Sequence, residues 1–332
     1  MPLLEVTNLS VSFDTPQGEV QAVRDVSFSV EAGQTLAIVG ESGCGKSALC
    51  RSILKLLPPS ARIKSGKILV DGRDVAALSE REACRLRGRL LSLVLQDPMA
   101  ALDPTLPVGT QIAQAVGVHA PGLSRAQREA RALELLELTG LPRARERARL
   151  CPHSLSGGMR QRAVLAAALA GSPRLLLADE PTTALDPTVR IQILDLLDDI
   201  RRKLNTAVVL VTHDLGAAAR CAQRVAVMYA GKILETGTAE DIFYDPRHPY
   251  TRELLACLPA LARPGEPLHT IPGTPPSPLN PPPGDPFAPR NRHALEIDFR
   301  EPPPMFQVSP THRAASWLLD PRASQAAFSN TR

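Results

Sequence analysis

The sequence predicts an α/β fold whose core sheet is mostly parallel, followed by a Pro-rich C-terminal extension. Up to about residue 258, short apolar runs such as "QTLAIVG", "RLLLADE" and "AVVLVTHD" alternate with amphipathic runs such as "IQILDLLDDIRRKL". Fully apolar strands separated by helices are typical of a parallel sheet covered on both faces. Two segments, "LLEVTNLSVSF" and "KILVDG", alternate apolar and polar residues, and we expect them to pair antiparallel. Half of the 32 prolines lie after residue 260.

The length of the chain allows a large α/β domain, and the distribution of its charges argues against a nucleic-acid partner. A chain of 332 residues can bury a full α/β core and still supply a smaller element. The formal net charge is +4, but the 38 Lys and Arg residues are interleaved with 34 Asp and Glu residues. The densest basic runs, "RLRGR" and "RARERAR", contain no aromatic residue on which a base could stack. We therefore interpret them as solvated faces and expect no nucleic acid.

The cysteines and the start of the chain predict a reduced, cytosolic protein. None of the cysteines forms a C-x-x-C pair, and "MPLLEVTNLS" has neither a basic nor an apolar targeting region. No apolar run approaches the roughly 18 residues that a transmembrane helix needs. We expect any membrane role to be peripheral or to pass through partners. The six cysteines are Cys44, Cys50, Cys84, Cys151, Cys221 and Cys257.

The segment "GESGCGKS" predicts a phosphate-binding loop, because it follows a strand and precedes a helix. In such a loop, backbone N–H groups cradle phosphates, Lys46 reaches the β- and γ-phosphates, and the Ser47 hydroxyl ligates Mg²⁺. Gly43 and Gly45 let the backbone approach the anion without a Cβ in the way. The predicted loop comprises Gly40, Glu41, Ser42, Gly43, Cys44, Gly45, Lys46 and Ser47.

Polar residues follow three other predicted strands. Asp179 and Glu180 end "LLLADE", and two adjacent carboxylates at a buried strand tip are costly unless a cation or a bound water compensates. In a phosphate-loop ATPase, the first would hold Mg²⁺ and the second would face the attacking water. Gln96 follows "LSLVL" and His213 follows "VVLVT". Because ligands collect at the carboxyl ends of parallel strands, we expect all of these groups to converge on one nucleotide.

A second anion site is predicted at "LSGGM". Ser156, Gly157 and Gly158 precede the helix-like run "AVLAAALA", and the N-terminus of a helix attracts anions. Since the first loop already provides a phosphate site, the anion here is expected to come from a partner molecule. An ordinary helix cap by Ser156 is the alternative, and it leaves the two glycines unexplained.

Taken in order, "GESGCGKS", Gln96, "LSGGM", "LLLADE", "ALD" and His213 resemble the nucleotide-binding subunit of ABC transporters. The resemblance covers roughly residues 3 to 258. It implies a domain at 1–258 with a mostly parallel core sheet, an antiparallel β subdomain and a helical subdomain at about 97–160 that contacts membrane subunits. It also implies a head-to-tail pair in which "LSGGM" closes over the partner's ATP.

The same resemblance assigns roles to individual residues. Phe13 is similar to the aromatic residue that stacks on adenine, and Asp186 to a residue beside the partner's nucleotide. Glu180 corresponds to the general base, His213 to the switch that senses the γ-phosphate, and Gln96 to the residue coupling ATP to the membrane contact. The implied ligands of Mg²⁺ are Ser47, Gln96 and Asp179. One departure is Met159, where many members carry Gln.

Longer segments resemble the ATPase subunits of oligopeptide, dipeptide and nickel importers. They include "QDPMAALDP", "DEPTTALD" and "DPRHPYTRELLACLPAL". The resemblance implies an ATPase on the cytoplasmic face of the cell membrane that powers import of peptides or a related small solute. Implied partners are a second ATP-binding subunit, with a heterodimer expected, two transmembrane permease subunits and an extracytoplasmic solute-binding protein. The solute itself is left open.

The extension at 259–332 is expected to be an extended, polyproline-like linker with small satellites. That branch of the family has a Pro-rich tail containing "F-x-P-R", often with four cysteines that ligate a [4Fe-4S] cluster. Carboxylate, amide and hydroxyl groups should not hold such a cluster, so we expect the extension to keep the packing role that the resemblance implies and to bind no cluster. The residues at the four cysteine positions are Asp285, Asn291, Asp298 and Ser316.

Two alternatives stay open at this point. One is a soluble ABC ATPase that acts in DNA repair or on the ribosome. Such chains resemble tandem or coiled-coil-inserted proteins, whereas here about sixty residues separate Gln96 from Ser156 and one phosphate loop is present. The other is a degenerate regulatory subunit, which the intact Glu180, His213 and "LSGGM" argue against.

Overall fold

The computed structural model describes residues 1–259 and 269–323, and within these ranges the strands form two sheets. The strands are β1 (Leu4–Thr15), β2 (Gly18–Val30), β3 (Thr35–Val39), β4 (Ala61–Val70), β5 (Arg73–Asp74), β6 (Leu91–Val94), β7 (Leu175–Asp179), β8 (Ala207–Thr212), β9 (Arg224–Tyr229), β10 (Lys232–Thr238), β11 (Phe306–Gln307) and β12 (Arg313–Ala314).

Helices cover the sheets, and none in the described ranges is long and apolar enough to cross a membrane. They are α1 (Lys46–Ile53), α2 (Glu80–Leu86), α3 (Pro98–Ala101), α4 (Val108–His119), α5 (Arg125–Leu138), α6 (Ala144–Arg147), α7 (Gly157–Ala168), α8 (Pro187–Leu204), α9 (Leu215–Cys221), α10 (Ala239–Tyr244) and α11 (Pro249–Ala256).

The larger sheet has a parallel centre, as the apolar runs predict. Its middle strands lie in the order β9-β3-β8-β7-β6, and each neighbouring pair is parallel. Every residue of β3, β7 and β8 is buried, which explains why these strands are apolar in sequence apart from the terminal residues Thr35, Asp179 and Thr212. The strands β3, β6, β7 and β8 therefore end at one edge of the sheet, where the predicted site residues follow them.

The smaller sheet is antiparallel, in the order β2-β1-β4-β5. Leu4 of β1 pairs with Val30 of β2 on one side and with Val70 of β4 on the other. Buried residues alternate with exposed ones over the first part of β1, because one face packs on the core and the other meets solvent. The antiparallel pairing predicted for "LLEVTNLSVSF" and "KILVDG" is confirmed.

The segment between the carboxyl end of β6 and "LSGGM" is helical, as its pattern predicts. Helix α5 begins with a capping box, in which Ser124 and Gln127 each accept a hydrogen bond from the other's backbone N–H. Its buried side chains, Ala132, Leu135 and Leu136, lie on the face that packs against α4 and α7. These helices build the apolar core beside the parallel sheet.

The described part of the C-terminal extension packs on the preceding domain, so the expectation of an extended linker is wrong for it and the expected packing role agrees with the structure. Phe287 is fully buried, with its ring 5.6 Å from that of Tyr229 and 5.2 Å from that of Tyr250. Strand β12 also extends the larger sheet, since Ala314 pairs with Glu235 of β10. Prolines disfavour long helices and central strands, but they do not prevent the side chains between them from being buried. Residues 260–268 and 324–332 of the extension lie outside the described residues.

Candidate nucleotide-binding site

The phosphate loop connects β3 to α1, and its glycines are required by close backbone contacts. Gly45 precedes the helix with a left-handed φ of 109°, and a Cβ there would lie 2.1 Å from the carbonyl oxygen of Ala22. A Cβ on Gly40 would lie 2.0 Å from the carbonyl oxygen of Met228. Both distances are far below van der Waals contact, so glycine is the residue that fits at each position.

The side chain of Lys46 is enclosed by the backbone of the phosphate loop. The residue is 4% exposed, and Nζ donates hydrogen bonds to the carbonyl oxygens of Gly40 at 2.8 Å and Glu41 at 2.9 Å. The neighbouring Cys44 thiol is also buried, and burial raises its pKa. The loop thus places one positive charge in a mostly desolvated pocket of its own backbone, an environment suited to an anionic ligand.

Asp179 ends β7 beside Ser47, as the sequence predicts. The Ser47 hydroxyl donates a hydrogen bond to Asp179 Oδ1 over 3.0 Å. Burial raises the pKa of Asp179, and the adjacent Glu180 carboxylate raises it further, against the opposing effect of the Ser47 hydrogen bond. A buried carboxylate next to a hydroxyl offers the hard oxygen ligands that Mg²⁺ prefers, so these residues fit that ion.

Polar groups that follow three neighbouring strands meet at the carboxylate of Glu180. Its Oε2 atom accepts hydrogen bonds from Thr183 Oγ1 at 2.8 Å and Gln96 Nε2 at 3.3 Å, and lies 3.2 Å from His213 Nδ1. The Glu180 backbone is left-handed, with φ of 47°, and its N–H donates to the carbonyl oxygen of Val211. This conformation costs about 1 kcal/mol for a residue with a Cβ. The structure brings Gln96, Glu180 and His213 together at one oxygen.

Thr183 is a site residue that the sequence reasoning missed. Its hydroxyl makes the shortest of the contacts to Glu180 Oε2, at 2.8 Å. The available signal was its position three residues after Glu180, where a turn following the strand brings the two side chains to the same side. Burial alone would raise the pKa of Glu180, but hydrogen bonds from Thr183 and His213 outweigh it, and the pKa lies below its ordinary value. The Glu180 carboxyl is therefore ionised at neutral pH.

Ser156 caps helix α7 and is exposed, as is Gly157. The Ser156 hydroxyl accepts from the backbone N–H of Met159 over 3.4 Å, which is a helix cap of the ordinary kind. A Cβ on Gly158 would lie 2.4 Å from Val189 Cγ1. Close packing of α7 on α8 therefore requires the second glycine, for a reason that involves no ligand.

Asp186 caps the neighbouring helix α8. Its Oδ1 accepts a hydrogen bond from the backbone N–H of Val189 over 3.0 Å. Since Val189 is also the residue that lies against Gly158, the N-termini of α7 and α8 are adjacent. Two exposed helix N-termini therefore lie side by side on one surface, with the Asp186 carboxylate at the second of them.

Phe13 lies in β1 on the smaller sheet, where it pairs with Val20 and Ala61. Its side chain is partly buried against the apolar core. Its role at adenine therefore rests on the family resemblance.

The four positions that correspond to cluster cysteines have protein partners. Asp285 and Asp298 are buried, and the Asp285 N–H donates to the Asp298 carbonyl oxygen over 2.7 Å. Burial raises the pKa of Asp298, and Asp285 adds to that effect. Asn291 Oδ1 accepts from His293 N–H, and Ser316 Oγ accepts from Leu318 N–H. Within residues 1–259 and 269–323, no group of three or more His, Cys, Asp or Glu side chains is arranged to hold a metal ion.

Two family models match the chain. "ABC transporter" matches residues 23–183, which include the phosphate loop, Gln96, Ser156 and Glu180. "Oligopeptide/dipeptide transporter, C-terminal region" matches residues 234–297, beginning inside β10 and running into the extension. The second match thus includes Tyr250 and Phe287, which pack on each other, and ends before strand β12.

Individual proteins agree with these matches over nearly the whole chain. The oligopeptide transport ATP-binding protein OppD of Bacillus subtilis is 54% identical over 97% of this chain and 90% of its own length. The dipeptide transport ATP-binding protein DppD of Lactococcus lactis is 51% identical over 97% of this chain and 92% of its own length. A dimeric, post-hydrolysis structure of the ATP-binding cassette MJ0796 bound to ADP and Pi covers 71% of this chain and 98% of that one, with 27% identity and a TM-score of 0.64. The chain therefore belongs to the ATP-hydrolysing subunits of the ABC transporter family, in the branch that carries the oligopeptide/dipeptide transporter C-terminal region.

Proposed function

We propose that this chain powers the import of dipeptides or oligopeptides across the cytoplasmic membrane. The observation that carries the proposal is identity above 50% with peptide-transport ATP-binding proteins over 97% of the chain, extension included. The chain would bind the cytoplasmic face of the membrane beneath two permease subunits, with an extracytoplasmic binding protein delivering the solute. The same identity disfavours a soluble ATPase acting on nucleic acid or the ribosome.

In this proposal each group at the sheet edge has one task. The backbone of the loop at 40–47 and Lys46 hold the phosphates, and Phe13 stacks on adenine. Oxygen atoms of Ser47, Gln96 and Asp179 hold Mg²⁺, which neutralises charge on the phosphates when bound. Glu180 accepts a proton from the attacking water.

The position of Glu180 Oε2 supports that assignment. The atom is held by hydrogen bonds from Thr183 and Gln96, and His213 lies beside it. An ionised carboxylate with its orientation set by three neighbours is suited to accept a proton without reorganising. His213, which is half exposed, would sense the γ-phosphate from the same place.

We also propose that two ATP-binding subunits complete each other's sites. Ser156 and Gly157 are exposed at the N-terminus of α7, and the N-terminus of α8 with Asp186 lies next to it. That surface would close over ATP held by the loop of the other subunit. The MJ0796 cassette was solved as a dimer, and here we expect a heterodimer with a different ATP-binding subunit.

The extension is proposed to bind no iron–sulfur cluster. The sequence has no cysteine after Cys257, and Asp285 and Ser316 already accept hydrogen bonds from backbone groups. Iron and acid-labile sulfide should be absent from protein purified anaerobically. About four of each per chain would contradict this proposal.

Transport in a reconstituted system tests the proposed function. The chain would be produced with the second ATPase, the permeases and the binding protein encoded beside it, and the complex placed in proteoliposomes. We expect ATP-dependent uptake of a labelled tripeptide and stimulation of ATP hydrolysis by that peptide. Uptake of nickel ion without peptide uptake, or hydrolysis that no peptide stimulates, would contradict the proposal.

A further inference from the structure

The side chain of Arg290, in the C-terminal extension, reaches the phosphate loop. Its Nη1 atom donates to both carboxylate oxygens of Glu41, at 2.9 Å and 3.1 Å. Arg290 is 8% exposed, and the Glu41 carboxylate is mostly buried. A charged pair that is largely removed from water is screened less than a surface pair. The extension and the loop are therefore joined by a direct, partly desolvated contact.

Arg290 is held in place by groups other than Glu41. Its Nε donates to the carbonyl oxygen of Pro272 at 2.8 Å, and its Nη1 also donates to the Tyr229 hydroxyl at 3.0 Å. The guanidinium carbon lies 5.7 Å from the centre of the Tyr229 ring and 5.9 Å from that of Phe287. These contacts hold the guanidinium group in position independently of Glu41.

Glu41 is restrained at its backbone as well as its side chain. Its N–H donates to the Tyr250 hydroxyl at 3.0 Å, and its carbonyl oxygen accepts from Lys46 Nζ at 2.9 Å. The rings of Tyr250 and Tyr229 are 4.4 Å apart, so the partners of Glu41 and Arg290 pack on each other. The direction of the peptide groups next to Glu41 thus depends on residues outside the loop.

We infer that Arg290 is a positioning residue for the phosphate loop, acting through Glu41. Loop N–H groups bind phosphate well when they already point at it, because no binding energy is then used to order them. By holding Glu41, Arg290 keeps the loop in one conformation. The affinity of the chain for nucleoside triphosphates therefore depends on the docked extension.

A contact that only attaches the extension to the domain would affect the stability of the chain and not its affinity for nucleotide. The extension has a second buried anchor, in which His312 Nε2 lies 2.7 Å from Glu235 Oε1 and both residues are almost fully buried. Glu235 also accepts from the backbone N–H groups of Arg247 and His248. This anchor joins the extension to β10 and not to the phosphate loop, so it provides a matched control.

The test compares nucleotide affinity with stability in the full-length chain. Affinity for Mg²⁺-adenylyl imidodiphosphate would be measured by calorimetry, and Tm by thermal unfolding without nucleotide. For Arg290→Gln we expect a lower Tm and a Kd raised about tenfold, since a hydrogen-bonded charge is lost. For His312→Gln we expect a lower Tm with Kd within about twofold of the parent chain. Arg300→Gln, which removes an exposed arginine paired with Glu296, should change neither.

Two results would overturn the inference. One is an unchanged Kd in Arg290→Gln despite a lower Tm, and the other is an equal rise of Kd in Arg290→Gln and His312→Gln. If Arg290→Gln does not fold, Glu41→Gln decides the matter, because it keeps the shape of the loop residue and removes the charge that Arg290 binds. A raised Kd in that variant, with Tm close to the parent value, supports the inference, and an unchanged Kd contradicts it.

Discussion

At the scale of single residues, the polar side chains at the sheet edge meet at one carboxylate oxygen of Glu180. The sequence was sufficient to predict that Gln96, Glu180 and His213 lie together, because each follows an apolar strand and parallel strands end at one edge. It was not sufficient for Thr183, since a hydroxyl four residues beyond strand β7 can take many orientations, depending on the turn that follows the strand. The left-handed backbone of Glu180 likewise has no signature in the residue type.

Removing the Thr183 hydroxyl should shift the acid limit of hydrolysis. Its hydrogen bond favours the ionised form of Glu180 and helps to hold the pKa of that carboxyl below its ordinary value. In Thr183→Val that pKa rises, so activity should begin to fall at a higher pH, with hydrolysis at neutral pH reduced about threefold. Single-turnover hydrolysis between pH 4.5 and 8 measures both effects. Thr183→Ser, which keeps the donor, should match the parent chain, and an identical profile for Thr183→Val would contradict the argument.

The cysteine of the phosphate loop should be a slow target for alkylation. Cys44 is 6% exposed and burial raises its pKa, so little thiolate is present at neutral pH. Cys84 is exposed and serves as the internal comparison. Peptide mapping by mass spectrometry after timed exposure to N-ethylmaleimide should show Cys84 modified first and Cys44 late. Equal rates in the folded chain would show that the loop opens more readily than the structure implies.

At the scale of elements, the strand and helix pattern was predictable and the contacts between helices were not. Apolar runs identified β3, β7 and β8, and alternation identified β1 and β4. The reason for Gly158 could not be read from the sequence, because it lies in the approach of α7 to Val189 of α8. A glycine attributed to ligand binding alone therefore has a packing role as well.

Gly158→Ala should destabilise the chain through a steric clash. The added Cβ would lie 2.4 Å from Val189 Cγ1, which forces the two helices apart. Overpacking of this kind costs about 1–3 kcal/mol of unfolding free energy. Urea denaturation of Gly158→Ala, Val189→Ala and the double variant measures the effect. We expect the double variant to recover part of the loss, and a Gly158→Ala chain as stable as the parent would be inconsistent with this packing.

At the scale of the whole molecule, the extension belongs to the structure of the preceding domain. Its prolines disfavour long helices and central strands, but composition says nothing about where Phe287 is buried. Tyr250 and Tyr229 lie 37 and 58 positions before Phe287 in the sequence (287 − 250 and 287 − 229), so pattern analysis could not anticipate these aromatic contacts. The described part of the extension is consequently packed into the preceding domain, through Phe287 and through strand β12.

Truncating Phe287 should lower the stability of the chain as a whole. The side chain is fully buried against two tyrosine rings, and loss of a buried phenylalanine costs about 3–5 kcal/mol. Phe299→Ala is the control, because Phe299 is 52% exposed in the same extension. Chemical denaturation should show a large decrease for Phe287→Ala and a small one for Phe299→Ala. Similar small decreases in both would mean that the extension docks weakly.

The central claim is that Glu180 supplies the base and that "LSGGM" completes the site of a second subunit. The most direct measurement is ATP-induced association of the Glu180→Gln chain, alone and with the second ATPase, followed by light scattering. Hydrolysis should fall about 10²- to 10⁴-fold while ATP still binds, so the closed pair should accumulate. We predict association that requires ATP and is abolished by Ser156→Arg. Two results would contradict the account. One is that ATP-bound Glu180→Gln chains stay monomeric both alone and with the second ATPase, and the other is that they associate equally well when they also carry Ser156→Arg.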